Sequence, residues 1–291
     1  MGDNMKKIFS YIGIIVLSIF SFYYTDRAGE IVKKNDPIMK EIMANKDSYN
    51  VEAVNAIIDD DSIISGINGK EIDVNESYKK MKRYRKYNSD MYVFHEVNPL
   101  LSFTNYYDKY VVGGSSNKME IALVFKVTDL EYMDRVINIL LDKNIVGTFF
   151  VDGEVIEKNV NKMLELTSNG NELENLGYDS KYDNDKLIYT NNMIEAITRV
   201  EPRYCYSDYK NNDVLKLCSN NNMYTIKPTV SVSSYPFVTV RNNTTNGSII
   251  SFNLNSKTIK ELPSIITYLK QKGYKLVTLN ELLNEKYVDE K

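Results

Sequence analysis

A chain of 291 residues is long enough to bury a large core and still carry a smaller unit, and its near balance of 36 basic against 39 acidic side chains gives no electrostatic case for a nucleic-acid partner. The single histidine, His95, leaves no set of imidazoles for the usual zinc hydrolase and only one candidate base for a Ser-His or Cys-His mechanism. His95 lies in the strand-like run Met91–Val97, ahead of the main domain, and reads as an ordinary strand residue.

Residues 1–24 read as a membrane anchor. Ile8 to Tyr24 is a run of about seventeen residues without a formal charge, at the short edge of a spanning helix, with Tyr23 and Tyr24 suited to an interface. It ends Phe22-Tyr-Tyr-Thr-Asp-Arg27, without the small residues a signal peptidase needs, so an uncleaved anchor is expected rather than a signal peptide. Lys6 and Lys7 place the N-terminus inside, against the weaker pull of Arg27, Lys33 and Lys34. The expected location is therefore the cell membrane, single-pass, with the bulk of the chain extracytoplasmic.

Residues 25–50, interrupted by Pro37, read as a juxtamembrane helical stalk whose apolar residues have no obvious home within the chain. Residues 51–117 read as a small α+β module. Val54–Ile58 and Ser62–Ser65 are strand candidates around a turn at Asp59–Asp61, which lacks the periodic spacing of a calcium loop. Ser77–Lys86 reads as a helix whose lysines and arginines form a solvated face, and Gly113–Asn117 as a linker.

Residues 118–291 form the expected main domain. Ile121–Phe125 suits a buried strand, and Thr128 or Asp129 could cap the next helix. Between Leu130 and Asp142, Met133, Val136, Ile137, Leu140 and Leu141 fall on one helical face. Val146–Val151 is a second strand, Gly153–Ser168 a second helix, and Asn169-Gly170 its stop. Met193–Val200 and Asp213–Cys218 read as helices. Cys205 and Cys218 lie thirteen positions apart, spaced for a disulfide that would contribute about 3 kcal/mol or for two buried thiols.

This order of strand, helix, Thr-Phe-Phe-Val strand, helix and Gly170-Asn-Glu-Leu173 resembles the polysaccharide deacetylases, metal-dependent de-N-acetylases of chitin and peptidoglycan. Asn246–Asn253 and Leu262–Leu283 resemble that family's closing strand, helix and strand. The resemblance implies an α/β fold, a distorted (β/α) barrel preceded by the small module and the transmembrane helix.

The family's chemistry is missing. Its first motif, Thr-Phe-Asp-Asp-Gly-Pro, carries a base and a metal ligand, where this chain has Lys126 and Val127. Its two metal imidazoles correspond to Leu176 and Ser180, its Arg-Pro-Pro-Tyr-Gly run to Cys205–Tyr209, and its terminal His to Asn253. The resemblance thus implies a protein with no catalytic residues, no metal and no cofactor. The expected function is a membrane-anchored, inactive deacetylase-like protein binding peptidoglycan, another envelope polysaccharide or an envelope protein. One alternative is an active deacetylase or hydrolase with a rebuilt site drawn from Asp129, Glu172, Glu174 and Asp179; another is a structural role in envelope assembly. Glu172 and Glu174 flank Leu173, so in a strand both point the same way, and facing outward they are only solvated charges. Asp129, Tyr178, Asp179, Tyr206 and Tyr209 are the candidate ligand contacts, aromatic faces among them suited to stacking on sugar rings.

Overall fold

The computed structural model describes residues 2–287, with side chains from Tyr11 onward. In chain order the elements are α1 (Gly2–Asn35), α2 (Pro37–Asn45), β1 (Ile57–Asp59), β2 (Ser62–Ile64), β3 (Gly69–Ile72), α3 (Val74–Tyr84), β4 (Phe94–Val97), β5 (Tyr110–Gly113), β6 (Glu120–Val127), α4 (Met133–Asp142), β7 (Thr148–Val151), α5 (Gly153–Lys158), α6 (Val160–Ser168) and β8 (Glu172–Asn175). There follow α7 (Asn184–Thr198), β9 (Tyr204–Tyr206), α8 (Asn212–Asn220), β10 (Tyr224–Ile226), β11 (Val230–Val232), α9 (Pro236–Asn243), β12 (Ile249–Asn253), α10 (Ser256–Gln271), β13 (Lys275–Val277) and α11 (Leu279–Leu283). They fall into two units, Met1–Glu52 with Gly69–Val97, and Ala53–Asn68 with Asn98–Lys291.

In the first unit α1 stops where Asp36 and Pro37 start a new helix, the Asp36 carboxylate accepting the Ile38 N–H at 2.9 Å. The expected stalk does have a home for its apolar face. Ile42 of α2 is fully buried with Ile72, Met81 and Tyr92, so residues 37–45 belong to a small core. Asp73 caps α3, which begins three residues before the expected Ser77 and ends at Arg85 in the left-handed region. Lys79, Lys80, Lys82 and Arg83 are exposed on it, as a solvated face requires. Strands β3 and β4 pair antiparallel, with exposed His95 opposite Glu71. The expected span Ile8–Tyr24 begins on three residues outside the described side chains; among the described residues no helix is long and apolar enough to cross a membrane.

The second unit is built on a parallel sheet in the order β11-β12-β6-β7-β8, with β13 also pairing β6. The expected core strands Val124–Lys126, Thr148–Val151 and Ile249–Asn253 thus lie side by side and parallel. A second sheet runs β1-β2-β5-β10-β9. Its β1–β2 hairpin turns at Asp60 and Asp61, and β2 then pairs parallel with β5. That distant pairing draws residues 53–68 and 98–117 out of the expected 51–117 module and into the barrel unit.

Alternation along the strands sorts the side chains into two layers. Leu123, Phe125, Val127, Phe149, Val151, Leu173, Ile250 and Phe252 pack with helical residues such as Met133, Val136, Ile137 and Leu140. Ala122, Val124, Phe150, Tyr204, Tyr206 and Ile249 fill the space between the sheets. At one junction of the sheets Gly113 bridges Ser248, and the Gly114 N–H donates to the Gly247 carbonyl. Gly247 has φ +77°, and a Cβ there would lie 2.1 Å from the Gly114 oxygen, so only glycine fits. Gly113–Asn117 is therefore part of the barrel wall, not a free linker.

At the other junction, β8 and β9 are joined through side chains. Glu174 Oε2 accepts the N–H groups of Arg203 and Tyr204 at 3.0 and 2.9 Å. The Tyr182 hydroxyl donates to the Asn175 carbonyl at 3.0 Å and accepts the Tyr206 N–H at 3.0 Å. Two helices differ from expectation. Asp129 caps only a turn, accepting the Glu131 N–H, so α4 starts at Met133 without a side-chain cap. The expected helix 153–168 breaks at Asn159 into α5 and α6.

Candidate functional site

The C-terminal ends of the parallel strands surround a cleft of about 650 Å³, lined among others by Lys126, Asp129, Leu176, Tyr206, Asp208 and Asn253. Period-two geometry explains why Lys126 is there. It continues the inward column of Ala122 and Val124 and emerges at the mouth, whereas Val127 turns into the buried helical layer and does not line the cleft. Leu176 extends the inward column of Glu172 and Glu174 in the same way, and Asn253 ends β12 above Ser251.

Lys126 makes the defining contact. Its Nζ donates to both carboxylate oxygens of Asp208 at 2.8 and 2.7 Å and lies 5.3 Å from the centre of the Tyr206 ring. The Tyr206 hydroxyl donates to Asp208 Oδ1 at 2.8 Å and shares a 2.7 Å hydrogen bond with Ser251. Burial raises the Tyr206 phenol above its ordinary range, which keeps it a neutral donor. Ammonium, carboxylate, phenol and hydroxyl therefore form one connected network at the strand ends. Asp208 lies in the Cys205–Tyr209 stretch that replaces a family motif, and nothing local in Tyr206-Ser-Asp announces a partner 82 residues away.

Asp152 is a second organiser, with little in its local sequence to announce it. Nearly buried, it caps α5 through the Glu154 N–H and accepts the N–H groups of Asp179 and Ser180 at 3.1 and 2.7 Å. Asp179 and Ser180 both have positive φ, and Gly177 just before them has φ +85° with no room for a Cβ beside the Lys181 carbonyl. The carboxylate thus holds a tight loop that carries Ser180 into the cleft. The only local signal was an Asp followed by Gly at the start of a helix.

The candidate contacts divide. Asp129, Tyr206 and Tyr209 line the cleft with Ser180. Tyr178 and Asp179 do not: the Tyr178 hydroxyl donates to Glu157 at 2.5 Å and Asp179 faces Lys181 at 4.0 Å. Glu172 and Glu174 are not outward solvated charges. They face the barrel interior, where Glu172 Oε2 accepts from Thr148 Oγ1 at 2.6 Å and from the Leu279 N–H at 3.1 Å. Burial raises both carboxyls, Glu174 the more strongly, with the Glu172 charge adding to the effect and backbone N–H groups opposing it. The four carboxylates of a rebuilt site are thus dispersed rather than convergent. Cys205, outward on β9, and Cys218 on α8 form a disulfide.

The donor set does not fit a catalytic divalent cation. Among the described residues no group of three or more His, Cys, Asp or Glu side chains converges to hold a metal. The positions matching the deacetylase motifs instead present an ammonium, an aliphatic chain, a hydroxyl and an amide, of which only the last two have lone pairs to offer.

A model of the polysaccharide deacetylase family matches residues 113–224. The uncharacterized protein YlxY of Bacillus subtilis is 27% identical over 274 residues, covering 88% of this chain and 86% of that protein. The peptidoglycan-N-acetylglucosamine deacetylase of Bacillus cereus is 26% identical over 193 residues, covering 58% of this chain and 70% of that enzyme. The crystal structure of BA3943 from Bacillus anthracis, described as a CE4 family pseudoenzyme, is similar with a TM-score of 0.68 at 28% identity, covering 88% of this chain and 98% of that one. A mutant of BA3943 with restored enzymatic activity superposes with a TM-score of 0.67 at 28% identity, covering 87% of this chain and 100% of that one.

Proposed function

The chain belongs to the polysaccharide deacetylase family as a divergent member, and from that premise we propose that it is a membrane-anchored, extracytoplasmic pseudoenzyme whose barrel mouth binds a cell-envelope glycan. The observation that carries the reading is the Lys126–Asp208 pair at the strand ends. Amide hydrolysis in this family needs a metal-activated water, and a lysine beside that position opposes the cation. An unpaired ammonium at about 4 Å and an effective dielectric near 20 repels a divalent ion by roughly 8 kcal/mol; the Asp208 carboxylate offsets part of this, but by engaging Lys126 it is itself withdrawn from the role of a metal ligand. Leu176 adds no ligand to offset this.

Binding without catalysis is supported by the cleft itself, about 650 Å³ and lined by Tyr182, Tyr206 and Tyr209, with Lys126, Leu176, Ser180 and Asn253 where the family's reactive groups would stand. Membrane attachment is supported by the uncharged run from Ile8 and by the exposure of Ile12, Ile14, Ile15, Leu17, Ile19 and Phe20 along α1, an apolar surface too extensive to face water uncovered. The Cys205–Cys218 disulfide fits an oxidising compartment.

The test is to measure zinc, cobalt and manganese binding by the full chain, together with acetate release from peptidoglycan and N-acetylated chito-oligosaccharide. Neither stoichiometric metal nor acetate is expected. Turnover with a bound metal, abolished by Asp129→Ala, would make the protein an enzyme. The combined change Lys126→Asp, Leu176→His and Ser180→His, all at positions that line the cleft, should introduce metal binding, in the direction that the restored BA3943 mutant suggests for such a scaffold.

A further inference from the structure

We propose that the Cys205–Cys218 disulfide latches the cleft, so that its wall is completed only where thiols are oxidised; this rests on the glycan-binding reading above and gives that same site its regulation. Cys205 lies on β9 and Cys218 on α8, both fully buried. Of the chain between them, Tyr206–Tyr209, Asn211, Asp213 and Val214 line the cleft, the longest stretch that does so. Asp208, the partner of Lys126, stands within it. The cross-link therefore closes a loop around the carboxylate on which the network at the strand ends depends.

The helix at the far end of that loop has little else to hold it. α4 buries Met133, Val136, Ile137 and Leu140, whereas the one residue that α8 buries is Cys218. Val214 and Leu217 are half-buried beside it, in a small cluster with Leu187, Cys205 and Met223 that is separate from the two main layers of the barrel unit. An element with so little buried apolar surface opens at low cost unless it is cross-linked. Beyond the end of β9, where the Ser207 N–H still donates to the Ile226 carbonyl, the loop's other attachments are single. The Asn211 N–H donates to the Tyr110 hydroxyl at 2.6 Å, and Lys210 pairs with Asp61 at 2.7 Å across exposed surface, where an ion pair is weak. Without the S–S bond, residues 206–217 regain conformational freedom and the Lys126–Asp208 contact has to hold them in place. Forming the bond takes one electron and one proton from each thiol, and a disulfide oxidant, of protein or low molecular weight, is reduced to its dithiol form in exchange. Such exchange runs outside the cytoplasm and is suppressed within it, so the cleft matures after export.

The experiment compares the oxidised full chain with the double variant Cys205→Ala, Cys218→Ala and with wild-type chain produced with both thiols free, reading the acetylation rate of single lysines by mass spectrometry. Lys126, its side chain 14% exposed and paired with Asp208, reports the latch. Lys162 of α6, 22% exposed and paired with Asp134 and Glu165, reports the rest of the barrel unit. Loss of the disulfide should speed acetylation of Lys126 about fivefold or more and leave Lys162 unchanged. Re-forming the bond with a low-molecular-weight disulfide should restore the protection. Unchanged protection of Lys126 without the bond would overturn the latch, and so would protection that stays lost once the bond is back. Equal gains at both lysines would overturn it too, because the disulfide would then support the whole fold. Peptidoglycan fragments should bind the oxidised chain about fivefold or more tighter than either form without the bond, since the wall is ordered beforehand. Equal binding by all three would overturn the regulation. Binding by none, with Lys126 responding as expected, would overturn the glycan reading and leave the latch standing.

Discussion

Two charged side chains, one at the mouth of the barrel and one inside it, behave in opposite ways. Lys126 is nearly covered, its side chain 14% exposed, while its partner Asp208 remains 45% exposed. Solvent therefore screens the pair in part, and Lys126→Met should lower stability by about 1–2 kcal/mol, less than a fully buried pair would lose. A urea-unfolding double-mutant cycle with Asp208→Asn measures the coupling; an additive result would mean that the contact stabilises nothing. Glu174 is the reverse case, a buried carboxyl without a cation on it. Burial lifts its folded pKa above the unfolded value, so its contribution is fully present below the unfolded pKa and is lost as pH rises through the folded one. The native chain should accordingly lose stability as pH rises above the ordinary carboxylate range, and Glu174→Gln, which keeps an acceptor for the Arg203 and Tyr204 N–H groups, should flatten that dependence. Urea midpoints measured along that rise decide it, and parallel curves for the two proteins would show that Glu174 is not the titrating group.

Among the elements, the β8–β9 junction is the least ordinary. Where a ladder would place backbone against backbone, the Tyr182 phenol stands between the Asn175 carbonyl and the Tyr206 N–H. Tyr182→Phe leaves that amide without its partner and should cost about 1–3 kcal/mol. Hydrogen exchange at Tyr206 should quicken selectively, and uniform quickening across the barrel would instead indicate a global effect. The same junction marks the limit of what the sequence made legible. The β6-α4-β7 unit could be read because its signals are local: one apolar face on the helix, two short apolar strands, a turn between. For Glu172 and Glu174, alternation gave the shared direction but not which face was inside, and only the neighbouring strands decide that. Gly113-Gly114 looked like a linker because the close approach of Gly247 comes from 130 or so residues away. In the site, the replaced motif positions were readable one by one, whereas the pairing of Lys126 with Asp208 depends on the sheets closing.

For the whole molecule the open expectation is its disposition in the cell. The proposed anchor at about Ile8–Tyr24 puts Lys6 and Lys7 inside and the chain beyond Tyr24 outside. Protease added to intact protoplasts should digest the barrel unit. Complete protection would reverse the orientation, and a shortened soluble product in the medium would mean that the N-terminal segment is cleaved.

The Lys126–Asp208 contact also bears on ancestry. Suppose a descendant were to recover the missing chemistry by single substitutions. Lys126→Asp taken alone sets a second carboxylate against Asp208, a repulsion of roughly 4 kcal/mol at about 4 Å and an effective dielectric near 20, with no imidazole at 176 or 180 to recruit a cation. Leu176→His or Ser180→His taken alone adds an imidazole to a cleft that still holds an ammonium. Each first step is unfavourable or idle until the others are in place. On the pseudoenzyme reading proposed above, inactivity is thus held in by a ratchet, and the tooth of that ratchet is one lysine resting on one aspartate.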